Sequence, residues 1–313
     1  MPILESESEE SCVAGYAHDA YADSLSEFGS PLRLSRSGGW LLKREIPETN
    51  AHDAMGCYPL FACQNWGGLR EDIDSLDEEV VAISVVTDPL GKYSEPYLRE
   101  CFRDLMVPFK QHFVADLKVP LASIPSKHHR YYAQRALTGV SVETCPHPER
   151  FLDDWSTLYD FLVARHHLTG IKAFSRKAFA VQLNVPGIVM FRATAEGETV
   201  GAHLWFTQGN VAHSHLAAVN DRGYELMASY ALYQFALEAF AGKVRWLNFG
   251  AGAGLNSDGQ DGLTRFKRGW ATETRTAYLC GQIVNRKRYE DLTVAKRLQQ
   301  SDYFPAYRQG EFG

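Results

Sequence analysis

Hydrophobic and polar positions divide the chain into a first half of mixed pattern and a second half with a clear change of period. In the first half, Trp40-Leu41-Leu42-Lys43-Arg44-Glu45-Ile46 reads as a strand stopped by Pro47. Cys57 to Cys63 is a short apolar run, broken by Asn65-Trp66-Gly67-Gly68. Val80 to Thr87 reads as a buried strand closed by Asp88-Pro89. Leu98, Cys101, Phe102, Leu105 and Met106 fall at helical spacing, so a helix is predicted over 97–110, followed by a strand over 112–117.

Ser126 is placed to cap a basic helix running to Leu137. The Pro- and charge-rich stretch Cys145 to Arg150 reads as a boundary. Helices are predicted over 151–166, with Trp155, Leu158, Tyr159 and Leu162 on one face, and over 175–183, capped by Ser175. The period then changes to two. Strands are predicted over 188–195, 199–206 and 211–219, the last pair joined by a tight turn at Thr207-Gln208-Gly209-Asn210. A long helix over 224–240, a strand over 244–249 and a last strand over 275–284 complete the pattern. The fold class expected is α/β (α+β), a mixed sheet with flanking helices.

Composition adds limits. At 313 residues the chain is long for one compact unit, and its 45% apolar and 22% charged residues are those of a globular protein. Six scattered cysteines with no CxxC pair argue against a zinc ribbon or disulfide scaffold, and no metal is expected. No apolar run approaches the ~20 residues of a membrane span. The acidic start, Met1 to Glu10, lacks the features of a secretory signal, so a cytoplasmic location is expected.

A formal charge of −6 disfavours DNA as a partner. That charge is uneven: residues 1–30 hold seven acids and no Lys or Arg, whereas residues 265–297 hold nine bases against three acids. A basic C-terminal surface suits phosphates.

Four segments together carry a resemblance. They are the basic helix with Lys127, Arg130 and Arg135; the hairpin Gly187–Ala193 running into Glu198–Leu204; the helix segment Tyr224 to Leu232; and Gly262-Leu263-Thr264-Arg265-Phe266-Lys267-Arg268-Gly269-Trp270. This set resembles the FemAB-like acyltransferases of the GNAT (N-acetyltransferase) superfamily, of the cellulose-biosynthesis and peptidoglycan-bridge types. The match covers about residues 126–285. It implies two tandem GNAT-like domains: a degenerate copy over 15–148 and an acyltransferase domain over 149–313, after a disordered acidic stretch over 1–14.

The resemblance implies transfer of an acyl group to an amine on a small molecule or peptide. Acyl-CoA is the expected co-substrate, with aminoacyl-tRNA, and hence tRNA as a partner, the alternative. It implies a functional lysine at Lys267, with Arg265 and Arg268 as phosphate partners. It also assigns phosphate holding to the turn between the third strand and the next helix, here Asn220, Arg222 and Gly223, with Glu225 where a small residue is usual. A carboxylate there competes with an anion for the helix N–H groups. The departure weakens the case for coenzyme A, and it equally suits a catalytically weak accessory protein.

For the base, a hairpin centred on Gln208-Gly209 sets Leu204 opposite His213 and Ala202 opposite His215, on one face. Trp246, Asn248 and the Gly250 backbone are expected to line the splay between strands. The glycine-rich segment from Gly250 to Gly262 lacks the strand-to-helix context of a dinucleotide loop and reads as a mobile loop over the acceptor site.

Overall fold

The computed structural model describes residues 13–252, 261–298 and 300–311. Most of the acidic start and most of the glycine-rich loop, on which expectations were stated, lie outside the described residues. In chain order the elements are α1 (Asp19–Asp23), β1 (Ser30–Arg33), β2 (Trp40–Glu45), β3 (His52–Gly56), α2 (Leu69–Asp74), β4 (Val80–Val86), α3 (Glu95–Cys101), β5 (Leu105–Asp116), α4 (Lys127–Ala136), β6 (Ser141–Cys145), α5 (Leu152–His166), α6 (Arg176–Gln182), β7 (Ile188–Ala195), β8 (Glu198–Gln208), β9 (Val211–Val219), α7 (Asp221–Glu225), α8 (Ala228–Phe240), β10 (Trp246–Asn248), α9 (Gly262–Arg268), β11 (Glu273–Ile283) and α10 (Arg286–Ala295).

All the strands join one mixed sheet in the order β1-β2-β3-β4-β11-β5-β10-β9-β8-β7-β6. One strand order occurs twice. β1, β2 and β3 form an antiparallel meander, α2 follows, and β4 returns parallel to β3. Likewise β7, β8 and β9 form a meander, α7 and α8 follow, and β10 returns parallel to β9. The next strand of each half then crosses to the other. β5 pairs with β10, β11 pairs with β4, and β5 and β11 pair with each other at the centre. Strand exchange makes the sheet continuous.

Several expectations are corrected. The helix over 97–110 ends at Cys101, and from Leu105 the chain is the strand β5. Pro108 cannot sit inside a helix, because it lacks an N–H and its ring clashes with the preceding turn. In the strand it is accommodated where the register with β11 shifts, Ala277 facing Lys110 and Tyr278 facing Pro108. The helix over 224–240 is two helices, α7 and α8, separated by Met227 in left-handed conformation (φ 57°). The ladder of β10 is shorter than 244–249, and the short strands β1, β3 and β6 carried no alternation that the sequence reading recognised.

β8 explains why both sheet faces are covered. Leu204, Trp205 and Phe206 are consecutive and all fully buried. Leu204 and Phe206 pack with Trp155, Tyr159 and Phe179 of α5 and α6, and Leu42 and Leu60 of the first half join that layer. Trp205 packs on the other side with Tyr233, Leu237 and Phe240 of α8 and with Trp270. Each such side chain contributes about 1.5–3 kcal/mol by leaving water. In the first half, Leu41, Ile83, Leu69 and Leu98 form a separate core under α2 and α3.

The last described segment is tied down by charge. Arg308 makes hydrogen bonds of 2.8 and 2.9 Å to the fully buried Asp53 of β3, which also meets Arg44 at 3.3 Å.

Candidate active site

The parallel pair β9–β10 is short. Trp246, Leu247 and Asn248 pair with Val211, Ala212 and His213. β9 then runs on to Val219, whereas the chain after Asn248 stays with β5 through Phe249 N–H to Phe113 (2.9 Å) and Phe113 N–H to Gly250 (3.0 Å). The strands therefore part just beyond His213 and Asn248. The opening is polar and deeply buried: His112 is 8%, Asn248 2%, His213 2% and Asp88 7% exposed.

Hydrogen bonds fix the protonation of this group. The backbone N–H of Gly250 donates to Asn248 Oδ1 at 2.9 Å, which identifies that atom as the oxygen. His112 Nδ1 lies 3.0 Å from the same oxygen and therefore carries a proton. Asn248 Nδ2 then faces His213 Nδ1 at 3.1 Å as donor, so Nδ1 accepts and the His213 proton resides on Nε2. That Nε2 has no hydrogen-bond partner and points at Asp88 Oδ2, 3.6 Å away. Burial lowers the pKa of both rings, that of His112 to about 3, and Asp88 partly offsets the effect on His213. Both are neutral at pH 7.

His213 and His215 do share a face, since both rings lie 5.6 Å from that of Tyr16. The expected register is corrected. The two-residue turn is Gly209-Asn210, with Gln208 opposite Val211 and hence Phe206 opposite His213, and a bulge between Leu204 and Trp205 then takes His215 out of register and sets Leu204 opposite Leu216. His215 has no free nitrogen: Tyr16 Oη lies 3.1 Å from Nδ1 and Gln182 Oε1 3.2 Å from Nε2. It is a satisfied core histidine, its pKa lowered by burial to about 3. Among the described residues no His/Cys/Asp/Glu cluster could hold a metal.

Lys267 stands on α9, whose N-cap is Asp261, with Oδ1 accepting the Thr264 N–H at 2.9 Å. Its Nζ donates to the Ala251 carbonyl at 2.7 Å, and a Cβ at Gly250 (φ +76°) would lie 3.1 Å from that Nζ. Burial lowers the Lys267 pKa to about 8, with Asp261 opposing. Its charge helps to hold His112 and His203 neutral, which places it beside the opening.

The turn after β9 is already occupied. Asn220 Oδ1 accepts the Gly223 N–H at 2.8 Å, so Asn220 caps α7. Arg222 is exposed and pairs with Glu225 at 3.2 Å. Gly223 packs on β8 so closely that a Cβ would lie 2.2 Å from the Val200 carbonyl oxygen. Arg265 and Arg268 line a cleft between α9 and the start of α4. Trp246 sits at the far end of β10, with the guanidinium groups of Arg245 and Arg275 over its ring at 4.7 and 5.1 Å.

Asn248, Gly250, Lys267 and His213 are thus brought together. Arg222 and Trp246 find other partners. Asp88, His112 and Tyr16 join the site without having been expected. The only sequence signal for Asp88 was an acid at the end of a buried strand, and Asp88-Pro89 had been read as a stop.

Residues 126–268 match the acetyltransferase (GNAT) domain family. Among solved structures, the chain is similar to FemX (TM-score 0.65, 14% identity, covering 87% of this chain and 92% of that one). It is also similar to the C-terminal domain of a putative lysylphosphatidylglycerol synthetase from Agrobacterium fabrum (0.59, 12%, 85% and 89%) and to L-PGS from Bacillus licheniformis (0.56, 14%, 91% and 98%). No curated protein matches in sequence. The domain match over residues 126–268 and these structures together show a GNAT fold, with FemAB-like structural relatives at low identity. Among the described residues no helix is long and apolar enough to cross a membrane.

Proposed function

We propose that this chain transfers an acyl group from an activated donor, acyl-CoA, to an amine. The observation that carries the reading is Asp88 set against the Nε2–H of His213 at the strand opening, beside Lys267. In the reaction the amine nitrogen bonds to the carbonyl carbon and the bond from that carbon to sulfur breaks. The nitrogen gives up a proton, and the leaving sulfur takes one. Asp88 is the group that accepts the proton, and His213, a neutral donor, orients it. Lys267 meets the oxyanion of the tetrahedral intermediate or a donor phosphate. Asn248 holds His213 in the tautomer this requires.

Aminoacyl-tRNA as donor is the second reading, and a specific observation favours it. Asn220 and Glu225 occupy the turn where GNAT proteins hold a pyrophosphate. The acceptor is a small-molecule or peptide amine. The repeated strand order supports two exchanged GNAT-like copies, divided near residue 148.

The test is release of free thiol from acetyl-CoA and longer acyl-CoAs with a panel of primary amines, alongside amide formation from an aminoacylated RNA. Wild type should turn over at least one donor, and Lys267→Ala and Asp88→Asn should lose most of that rate. Turnover equal in all three proteins, or absent with every donor, would sink the reading.

A further inference from the structure

Outside the strand opening, the described residues contain one cleft whose chemistry is uniform. It has a volume of about 600 Å³ and lies between α4, α8 and α9, lined among others by Ser126, His128, His129, Tyr230, Arg265 and Arg268. Among the described residues no Asp or Glu lines it. The two helices that flank it carry Lys127, Arg130 and Arg135 on α4 and Arg265, Lys267 and Arg268 on α9, with no acid in either. In a chain of net charge −6, this segregation makes a local anion site.

The cleft also has an aromatic wall. The ring of His128 lies 4.5 Å from that of Tyr132, which lies 5.3 Å from Tyr230, and the Tyr230 ring is 5.2 Å from that of the buried His129. His129 is locked by Ser126 Oγ at 2.8 Å and the Phe266 carbonyl at 2.9 Å, which ties the α4 start to α9. Gly269 allows this approach, because a Cβ there would lie 1.9 Å from the His129 ring. The wall is therefore rigid, while His128 is exposed and Tyr230 half-buried. Arg265 is exposed, with no acid paired to it among the described residues.

Aromatic faces beside guanidinium groups suit a flat base attached to phosphate, since stacking takes the base and the planar donors take the oxygens. We propose that this cleft binds the adenine nucleotide portion of the acyl donor, with the base against His128 and Tyr230 and the phosphates on Arg265 and Arg268. The inference rests on the acyltransferase reading for what the nucleotide carries. It differs from that reading in placing the nucleotide away from the turn after β9, whose Gly223 N–H is taken by Asn220. Arg265 and Arg268 share the short helix α9 with Lys267, whose ammonium leaves the cleft and donates to Ala251, so the cleft and the strand opening are separated by that one helix. Coenzyme A and the 3′ end of tRNA both present an adenine nucleotide, and the test separates them.

The experiment is calorimetric titration of the full chain with adenosine 3′,5′-bisphosphate, coenzyme A and a short RNA hairpin ending in CCA. Wild type, His128→Ala, Arg265→Ala and Arg222→Ala are compared, all three changes being at exposed side chains. The bisphosphate should bind wild type, and His128→Ala and Arg265→Ala should each weaken it about tenfold or more, stacking and charge-assisted contacts being of that size. Arg222→Ala should bind as wild type does. Whichever of coenzyme A and the RNA shows the same losses is the source of the nucleotide. No binding of any probe, unchanged binding in His128→Ala and Arg265→Ala, or a loss confined to Arg222→Ala overturns the proposal. If those variants bind normally while Lys267→Ala loses transfer, the cleft assignment falls and acyl transfer stands. If they lose binding while wild type transfers nothing, the cleft stands and the acyltransferase reading falls.

Discussion

His213 Nε2 faces Asp88 Oδ2 across 3.6 Å, and it does so as a donor because Asn248 holds the other nitrogen of the ring. The two residues come from different halves of the chain, Asp88 from the end of β4 and His213 from β9. The first prediction concerns this gap. A gap of 3.6 Å admits no heavy atom on the line between the two, but a substrate nitrogen or a water set beside the pair can reach both the carboxylate and the imidazole N–H. Asp88→Asn keeps the shape and removes the charge, so transfer should fall by about 10²–10⁴-fold, the usual worth of a positioned base. Rates with any accepted amine, read beside an unchanged melting curve, check this. A rate within a few-fold of wild type would remove Asp88 from the chemistry.

Asn248→Asp tests the tautomer. A carboxylate at 248 still accepts from Gly250 and His112, but it also demands a proton on His213 Nδ1. His213 would then either present a bare Nε2 to Asp88 or become charged. Imidazole nitrogen chemical shifts should move from the Nε2–H pattern to Nδ1–H or doubly protonated, with a loss of transfer of tenfold or more. An unchanged Nε2–H signal would show that Asn248 does not set the tautomer.

Lys267 gives a pH signature. Burial lowers its pKa from 10.5 to about 8, so between those values the unfolded chain binds the proton that the folded chain releases. Stability from this group therefore rises as pH climbs from 8 to 10.5, and its cost is fully present below 8. The difference in denaturant midpoint between wild type and Lys267→Met should accordingly change across that window and stay flat from pH 6 to 7. Transfer should run the opposite way and decline above about pH 8, where the ammonium is lost. A flat midpoint difference up to pH 10.5 would contradict a depressed Lys267.

The buried charges at the C-terminal segment make a separate stability prediction. Asp53 is fully buried and holds both Arg308 and Arg44. Asp53→Ala removes the buried carboxylate from both guanidinium groups and leaves them Glu311, 2.5 Å from Arg44 and 3.8 Å from Arg308, so the cost falls at the lower end of about 3–5 kcal/mol. Urea unfolding measures it, and a loss under 1 kcal/mol would mean that the pair is solvated in solution.

Backbone approach is tested at Gly223. A methyl there would meet the Val200 carbonyl oxygen at 2.2 Å, and β8 cannot retreat without disturbing its ladder. Gly223→Ala should destabilise by about 1–3 kcal/mol. It should leave nucleotide binding at the α4–α9 cleft in place, which the same titrations would report.

The sequence by itself determined much of the second half. The change to a period of two after residue 187, the turn near Gly209, and the caps at Ser126 and Ser175 are local features, and the structure contains β7, β8, β9, α4 and α6 where they stand. Lys267 and Asn248 were legible because a recognisable segment or strand carries each. What only the tertiary structure decided has a common cause. β5 is a strand rather than a helix because β11, some 170 residues later, completes its ladder around Pro108. The turn, one residue further on than the expected centre, set the partner of His213, and a bulge in β8–β9 that no count of turn residues shows took His215 out of register. Asp88 and His213 meet although β11, β5 and β10 lie between β4 and β9 in the sheet, so the site is made by the packing of distant segments and by no local signal that either residue carries.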